Sequence, residues 1–180
     1  PAAGATVTIT AQLLDANDNP VTTAGKTITW TKSDNNGSFS PTSSNTDING
    51  TATVTFTAHT LAGTTTTITA TDNTSLTGTT STITVGSGGA SKLVVSTISG
   101  QTAGTAFAVT VTLTDANRNA VNATADGTVT LTRKTGTGTL GGTLTGTITS
   151  GSSAVTISGV TYTKAETGVV LTATGSVAGN

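Results

Sequence analysis

One stretch occurs twice in this sequence, at a spacing of one hundred residues. Residues 4–21 read GATVTITAQLLDANDNPV and residues 104–121 read GTAFAVTVTLTDANRNAV, and the two align without a gap. In both copies the apolar residues occupy alternate positions, which predicts a β-strand with one buried and one wet face. A self-similar segment at a domain-sized interval indicates tandem domains, and this constrains the fold before any local propensity is considered.

The length and composition agree with two small all-β domains. The 180 residues divide into two copies of roughly 90, which is the size of a small β-sandwich. Threonine is the commonest residue, and with 22 glycines and many β-branched apolar residues it favours strands joined by tight turns. No window shows the apolar period of a helix. The predicted fold class is therefore all-β, with two tandem immunoglobulin-like β-sandwich domains.

The first domain is predicted at residues 1–85, and a GSGG linker is predicted at residues 86–89. Trp30 alternates with threonines in its strand and is expected at the centre of the core. Phe39 is expected to close one end of that core, within a polar loop predicted at residues 33–47. The predicted strands are residues 5–14, 26–32, 51–58, 64–71 and 79–85.

The second domain is predicted at residues 90–180 and contains a different set of strands. Its first strand, at residues 91–99, has no counterpart before Pro1, and it has no counterpart of the strand at residues 79–85. The first domain thus lacks its first strand and the second lacks its last, which exposes an unpaired edge in each. Either the sequence was cut from a longer array within domains, or neighbouring subunits supply the missing strands. The other predicted strands are residues 105–114, 128–133, one within 135–149, 154–160 and 168–174.

Charge and cysteine content exclude several classes of partner. Only 8% of the residues are charged and the net charge is −1, so no basic face exists to bind nucleic acid or an anionic membrane. The lack of cysteine removes disulfides, thiolate metal sites and redox chemistry. No apolar run is long enough for a transmembrane helix, so direct membrane insertion is not expected, and any export signal or anchor is expected outside this sequence. These features favour an extracellular protein of the cell surface, and a charge-poor cytosolic domain is the alternative.

Five short segments carry a family resemblance: Lys92–Val95, Gln101–Phe107, Asp115–Asn119, Gly136–Leu140 and Leu171–Thr174. They succeed one another as in the bacterial Ig-like repeats of large surface proteins and adhesins, and the chain resembles the invasin/intimin type. The resemblance covers nearly all of residues 90–180 and, more loosely, residues 4–85. It implies an Ig-like fold and an extracellular tandem array, in which such repeats serve as stalks, spacers, fibres or ligand-binding tips. One departure is that the usual glycine of the Asp-Ala-Asn-Gly-Asn turn is replaced by Asp18 and Arg118.

No set of residues in the sequence is typical of an active site. His59 is the only histidine and has no nucleophile motif around it, so it is expected to be exposed at a strand end. Glu166 is the only glutamate, so a pair of catalytic carboxylates would need two loop aspartates. Lys92 begins a strand and is expected to be solvated rather than to form an isopeptide bond. The chain is accordingly predicted to be no enzyme and to need no cofactor.

The turn from Asp15 to Asn19 has side-chain oxygens at alternate positions, as the start of a calcium loop has. Asp15, Asn17 and Asn19 are therefore candidate calcium ligands. However, the closing bidentate glutamate is missing, and Arg118 in the twin turn would repel a cation. An Asx turn, in which the aspartate accepts hydrogen bonds from nearby backbone amides, is the favoured interpretation.

Four asparagines fit the acceptor pattern for N-glycosylation, and each is predicted to lie in a turn. Glycan at these positions would suit an exported protein from a source that has the machinery, and the exposed hydroxyls could carry O-linked sugar. The four are Asn36, Asn49, Asn73 and Asn122.

Two functions from different classes remain. The first is a non-catalytic structural module of an extracellular surface fibre, filament or adhesin stalk, assembled head to tail with copies of itself or with flanking Ig-like repeats. The second is a carbohydrate- or receptor-binding module of a surface adhesin, with a glycan or a host surface ligand as its partner. Sugar sites usually present exposed aromatic rings, and the predicted cores leave only Tyr162 for this role. The structural function is therefore favoured.

Overall fold

The computed structural model describes residues 1–179, and the chain divides into two compact units. Unit 1 is Pro1–Ser87 and unit 2 is Gly88–Asn180. The described residues form β-strands and turns and contain no α-helix, and hence no helix that could cross a membrane. Each unit packs two antiparallel sheets on a shared apolar core, so the predicted class of two Ig-like β-sandwiches is confirmed.

Unit 1 is built from nine strands: β1 (Thr6–Gln12), β2 (Thr27–Lys32), β3 (Ser38–Ser40), β4 (Ser43–Asn45), β5 (Thr51–Thr57), β6 (Thr65–Thr66), β7 (Ile68–Asp72), β8 (Thr77–Thr79) and β9 (Ile83–Thr84). One sheet has the strand order β1-β5-β3 and the other has the order β4-β2-β7-β8, while β6 pairs with β9. The core between the sheets therefore draws on strands that are distant in sequence.

Unit 2 is built from seven strands among its described residues: β10 (Lys92–Val95), β11 (Phe107–Thr114), β12 (Gly127–Thr135), β13 (Leu140–Gly142), β14 (Thr145–Ile148), β15 (Ala154–Tyr162) and β16 (Val170–Gly175). Its sheets have the orders β10-β11-β15-β13 and β14-β12-β16. The twin strands β1 and β11 thus lie in equivalent sheets, but β11 has a second neighbour, β10, whereas among the described residues β1 pairs with β5 alone.

Alternation of threonine with apolar residues puts the cores where the sequence predicts them. Trp30 is only 4% exposed, and its indole N–H donates to Ser44 Oγ at 2.9 Å. Phe39 packs on the fully buried Phe56, with ring centroids 5.6 Å apart. These contacts confirm that Trp30 is a buried core residue and that Phe39 packs against the same core.

The polar loop predicted at residues 33–47 is wrong, because it contains the strands β3 and β4. Phe39 of β3 lies opposite Phe56, whereas Ser44 of β4 lies opposite Ile28 in the other sheet. The chain therefore crosses between the sheets within this segment, and β13 and β14 repeat the crossing in unit 2. Strands of three or four residues show too few alternations to be recognised in sequence.

The GSGG segment at residues 86–89 is not a free linker. Gly86 N–H donates to Pro1 O at 2.8 Å, and Gly88 N–H donates to Asp115 Oδ2 at 2.9 Å. Composition predicted a linker here, and these two backbone amides find partners in unit 1 and in unit 2 respectively. The division between the units accordingly falls between Ser87 and Gly88.

The predicted strand at residues 79–85 is divided into β8 and β9. The two parts have different partners, because β8 pairs with β7 whereas β9 pairs with β6. The predicted strand at residues 91–99 is likewise shorter, since β10 comprises only Lys92–Val95. The choice of partner strand leaves no mark in the period-two pattern of the sequence.

Candidate functional site

Within residues 1–179, four turns are built around an aspartate in the same way. The Oδ1 atom accepts hydrogen bonds from the backbone N–H groups two and four residues later, at 2.8–2.9 Å. The residue three positions later has a positive φ of 62–74°. We call these the aspartate turns, and they begin at Asp15, Asp47, Asp72 and Asp115.

Hydrogen-bond donors hold the carboxylates of the aspartate turns in the charged form. The backbone N–H of Asn19 is the main cause that lowers the pKa of Asp15 below its ordinary value. Burial would raise the pKa of Asp115, but hydrogen bonds from Asn119 and Gly88 outweigh it and the pKa is lowered. Carboxylate oxygens that face N–H donors have the geometry of an Asx turn, which is the favoured interpretation of Asp15.

Hydrogen bonds join the candidate calcium ligands Asp15, Asn17 and Asn19 to one another. Asn17 and Asn19 each donate a backbone N–H to Asp15 Oδ1, and the side-chain amide of Asn19 donates to Asp15 as well. In the part of the chain that the structure describes, no group of three or more His, Cys, Asp and Glu side chains is placed to hold a metal ion. These three residues together form a hydrogen-bonded turn.

Three of the aspartate turns lie at one end of unit 1. Leu13 N–H donates to Gly50 O, which joins the turn after β1 to the turn before β5. Asp72 lies opposite Ile28 at the start of β2, which brings the third turn to the same end. Each of these turns exposes an aliphatic side chain beside it: Leu14 is 46% exposed, Ile48 79% and Leu76 60%.

One edge of β1 carries no partner strand among the described residues. β1 is the outermost strand of its sheet and pairs with β5 on its other side. Because Leu13 N–H bonds toward β5, alternation directs the backbone groups of Thr10 and Gln12 toward the open edge. Those unpaired N–H and C=O groups are a template for a further strand.

A groove of about 590 Å³ lies beside this open edge, between β1 and β8. Its lining includes Ile28 and Trp30 of the core. Ile9, Ala11 and Leu13, the inward-facing residues of β1, also line it and are only half-buried. The groove is therefore an opening onto the centre of the unit 1 core.

Unit 2 has a strand at the place where unit 1 has the groove. In the β10–β11 pair, Leu93 lies opposite Leu113 and Val95 lies opposite Val111. Leu93 and Val95 pack on the unit 2 core, and Leu113 and Val111 are fully buried, unlike their unit 1 twins. The presence of β10 thus accounts for the difference in burial between the two copies.

The last strands show the converse difference. In unit 1, β8 pairs with β7, whereas β16 is the outermost strand of its sheet in unit 2. Leu171 of β16 is half-buried, while Ile68 at the matching position of β7 is 1% exposed. Each unit therefore has an open edge where the other unit has a strand.

Tyr162 was the one aromatic ring predicted to be available for stacking on a sugar, but it is buried. It is 8% exposed, its hydroxyl donates to Glu166, and it accepts the backbone N–H of Gly138 at 2.8 Å. The Tyr162 hydroxyl and then the N–H of Thr137 hold the pKa of Glu166 far below its ordinary value. Sequence could not find this cluster, because Tyr162 and Gly138 are brought together only by the pairing of β13 with β15.

Two further residues considered in the sequence, His59 and Lys92, lie near the surface. His59 is half-buried rather than exposed, since its Nδ1 accepts the backbone N–H of Leu61 at 3.0 Å. Lys92 is exposed, and its ammonium donates to Ala116 O at 3.0 Å. This bond joins the start of β10 to the aspartate turn at Asp115.

The four candidate glycosylation sites differ in accessibility. Asn49, Asn73 and Asn122 are exposed, each in or beside a turn. Asn36 is half-buried, and its side-chain amide donates to Thr65 O at 3.1 Å, so glycan at Asn36 would displace this bond. Asn49, Asn73 and Asn122 are the sites that the structure leaves reachable.

The aspartate turns at Asp47 and Asp72 were missed by sequence reasoning. Residues 47–51 read DINGT and carry glycine at the third position after the aspartate, where the positive φ is needed. Residues 72–76 read DNTSL and place Ser75 there instead, with a φ of 72°. A search for an aspartate with glycine three residues later would have found the first of these turns but not the second.

Comparison with known proteins finds similarity at the level of solved structures. The adhesin InvE of Yersinia pseudotuberculosis is 26% identical over 98% of this chain and 52% of that chain, with a TM-score of 0.45. The D0-D1 domain of intimin is 19% identical over 96% of this chain and 84% of that chain, with a TM-score of 0.41. A C-terminal fragment of intimin in complex with the intimin-binding domain of the translocated intimin receptor is 15% identical over 93% of this chain and 52% of that chain, with a TM-score of 0.42.

The chain spans about half the length of InvE and of the C-terminal intimin fragment. No protein-family model matches the chain, and no curated protein matches it. Its function is therefore inferred from the strand pairing of the chain itself.

Proposed function

We propose that this chain is a non-catalytic structural module of an extracellular surface fibre or adhesin stalk, in which repeats are joined head to tail. The observation that supports it is the pair of open edges: β1 lacks a neighbour that β11 has, and β16 lacks a neighbour that β7 has. Neighbouring repeats would complete each other's sheets at these edges and so form a linear array.

The composition of the open edges supports their use in assembly. Edge strands that must stay unpaired usually carry lysine, proline or a bulge. β1 reads TVTITAQ, pairs with β5 over seven residues without a register shift, and has no charge or proline. β16 reads VLTATG and has no charge or proline either. Neither strand carries a lysine or a proline that would hinder the binding of a further strand.

The internal bonding of each unit suits a module under tension. Each unit contains a long antiparallel ladder, β1–β5 in unit 1 and β11–β15 in unit 2. In unit 2, threonine hydroxyls also bond between neighbouring strands, Thr110 with Thr156 at 2.9 Å and Thr132 with Thr172 at 2.8 Å. With no cysteine in the sequence, resistance to unfolding would come from these ladders and from the aspartate turns.

We place the module outside the cell, on its surface. The support is the scarcity of charge, the lack of cysteine and the exposed rows of hydroxyl side chains on both units. Antibodies against the folded chain should label intact cells that produce the protein. Labelling that appears only after the cells are permeabilised would refute this placement.

Head-to-tail assembly is tested with the purified chain. At rising concentration it should sediment as a series of oligomers and form filaments in electron micrographs, with an axial repeat of two sandwiches. Thr10→Pro removes an N–H from the open edge of β1 and should suppress assembly, whereas Thr10→Ala keeps the N–H and should not. A chain that stays monomeric at every concentration would overturn the head-to-tail part of the proposal.

A further inference from the structure

The segment Gly88–Val95 of unit 2 is an internal template for what fills the groove of unit 1. It starts with the hydrogen bond from Gly88 N–H to Asp115 Oδ2 and continues as β10 along β11. Ser91 N–H to Thr114 O and Ser96 N–H to Thr110 O extend this pairing at both ends. The elements of unit 1 that match the receiving side are Asp15 and β1.

We propose that Asp15 and the open edge of β1 form one acceptor site for an extended strand of the Gly88–Val95 type, carried by a neighbouring repeat in which that strand is not paired within its own unit. The inference rests on the proposed head-to-tail function and names the partner at one of the two edges. It assigns to the incoming segment a direction, a register and an anchoring bond.

The offset of one hundred residues carries the register of β10 over to the acceptor. In this register the donor leucine would lie opposite Leu13, and the next inward residue would lie opposite Ala11, both over the groove that opens onto Trp30. The intervening donor residues would face solvent. In unit 2, Lys92, Leu93, Val94 and Val95 lie opposite Thr114, Leu113, Thr112 and Val111, and the unit 1 counterparts are Leu14, Leu13, Gln12 and Ala11.

One position of the acceptor favours a larger donor residue than β10 provides. Ala11 stands where unit 2 has Val111, so the groove is deeper opposite the second inward donor residue. A donor with isoleucine or leucine in place of Val95 would fill this space better than valine does.

The anchor of the site is the carboxylate of Asp15. Its twin, Asp115, accepts two hydrogen bonds at Oδ2, from the side-chain amide of Asn119 at 2.8 Å and from Gly88 N–H at 2.9 Å. Among residues 1–179, Oδ2 of Asp15 accepts from Asn19 alone, at 3.1 Å. An N–H of the incoming segment would take the place that Gly88 has in unit 2, as a charge-assisted bond.

A synthetic peptide with the sequence of residues 87–99 tests the site when added to the full chain. It should bind saturably, change the fluorescence of Trp30 and protect the amides of residues 5–14 from hydrogen exchange. A peptide with both Leu93→Thr and Val95→Thr keeps strand propensity but loses the apolar contacts, so it should bind at least about tenfold more weakly. The Val95→Ile peptide should bind more tightly than the original.

Two chain variants separate the anchor from general effects on turns. Asp15→Asn should weaken peptide binding, because the charge-assisted acceptor is lost. Asp47→Asn changes an aspartate turn of the same construction that does not meet the incoming strand, so it should leave peptide binding unchanged. Equal weakening by both variants would overturn the assignment of Asp15.

The register is tested with cysteine pairs, since the chain has no cysteine of its own. A Val94→Cys peptide should form a disulfide with the Gln12→Cys chain, because facing residues of paired strands lie within disulfide distance. The Thr8→Cys chain, four residues away on the same strand face, should react far more slowly. Equal reaction at both positions would overturn the register.

The outcomes distinguish this inference from the function on which it rests. If the threonine-substituted peptide binds as well as the original, or if residues 5–14 gain no protection, the acceptor site is refuted even where the chain forms filaments. If the peptide binds in register while the chain alone stays monomeric, the acceptor site stands and self-assembly of this chain fails.

Discussion

Leu13 and Leu113 occupy the same position in twin strands, and truncating each to alanine should cost different amounts of stability. Leu113 is 3% exposed and lies opposite Leu93 of β10, so Leu113→Ala leaves an enclosed cavity. The cost should be about 2–5 kcal/mol. Leu13 is half-buried against an open groove, so Leu13→Ala removes less apolar contact and encloses no cavity. That change should cost about 1 kcal/mol.

The two units can be followed separately in one denaturation experiment. Trp30 is the only tryptophan and reports on unit 1, and Tyr162 is the only tyrosine and reports on unit 2. Urea unfolding of each variant should shift the midpoint of its own unit alone. Thr10→Ala, at an exposed position of β1, is the control and should change the free energy of unfolding by less than about 0.5 kcal/mol.

Equal costs at the two positions would refute the reasoning. They would mean that β10 does not decide the burial of β11, or that Leu13 is enclosed by something other than a further strand. A saturating amount of the donor peptide adds a stricter condition. With the groove filled, the cost of Leu13→Ala should rise toward that of Leu113→Ala, because the leucine then loses enclosed contacts.

The turns, the core and the carboxylates give four more expected outcomes. Arg118→Gly should stabilise unit 2 by about 0.5–1 kcal/mol in urea unfolding, because a φ of 69° strains an L-residue more than it strains glycine; a lower midpoint would contradict this. Trp30→Ala should cost about 3–5 kcal/mol, and the native indole should emit at short wavelength and resist iodide quenching; emission like that of free tryptophan would show an exposed ring. A chelator should leave the melting temperature unchanged, because the aspartate-turn oxygens accept N–H groups, and a large drop would restore the calcium interpretation. The pKa values of the aspartate turns lie below the ordinary 3.8, so their stabilisation is complete above that pH and is lost as the pH falls through the lowered values; melting temperatures that stay constant down to about pH 2 would refute this.

Sequence predicted the parts of the fold that repeat locally. β1, β5 and β11 alternate over seven or eight residues, so their inward faces could be read without knowing their partners. The repeat itself showed which strands have no counterpart, because aligning β1 with β11 leaves β10 unmatched. The open edges of the candidate site were thus predictable from comparing the two halves of one chain.

The parts that sequence missed depend on distant partners. β3 and β4 are strands only because β5 and β2 offer them edges in two different sheets. Tyr162 is buried because β15 places it beside β13, and its hydroxyl meets Glu166 only after the chain has turned back. No local pattern encodes these encounters, so a single residue such as Tyr162 was assigned to the surface by elimination.

The carboxylates of this chain are used almost entirely to hold turns. Of the eight acidic residues, all within the described part of the chain, seven accept a backbone N–H and only Asp18 does not. The negative charges therefore lie at turns and loops, and none lies on the outward faces of β1 or β16. An approaching strand would therefore meet no charged side chain along β1 or β16 themselves, and Asp15 would be the charged group at the end of its path. Apart from the bond to Asp15, association there should depend on backbone hydrogen bonds and apolar contact, so raising the salt concentration should weaken donor-peptide binding only slightly; a steep salt dependence would show that further charged side chains control the site.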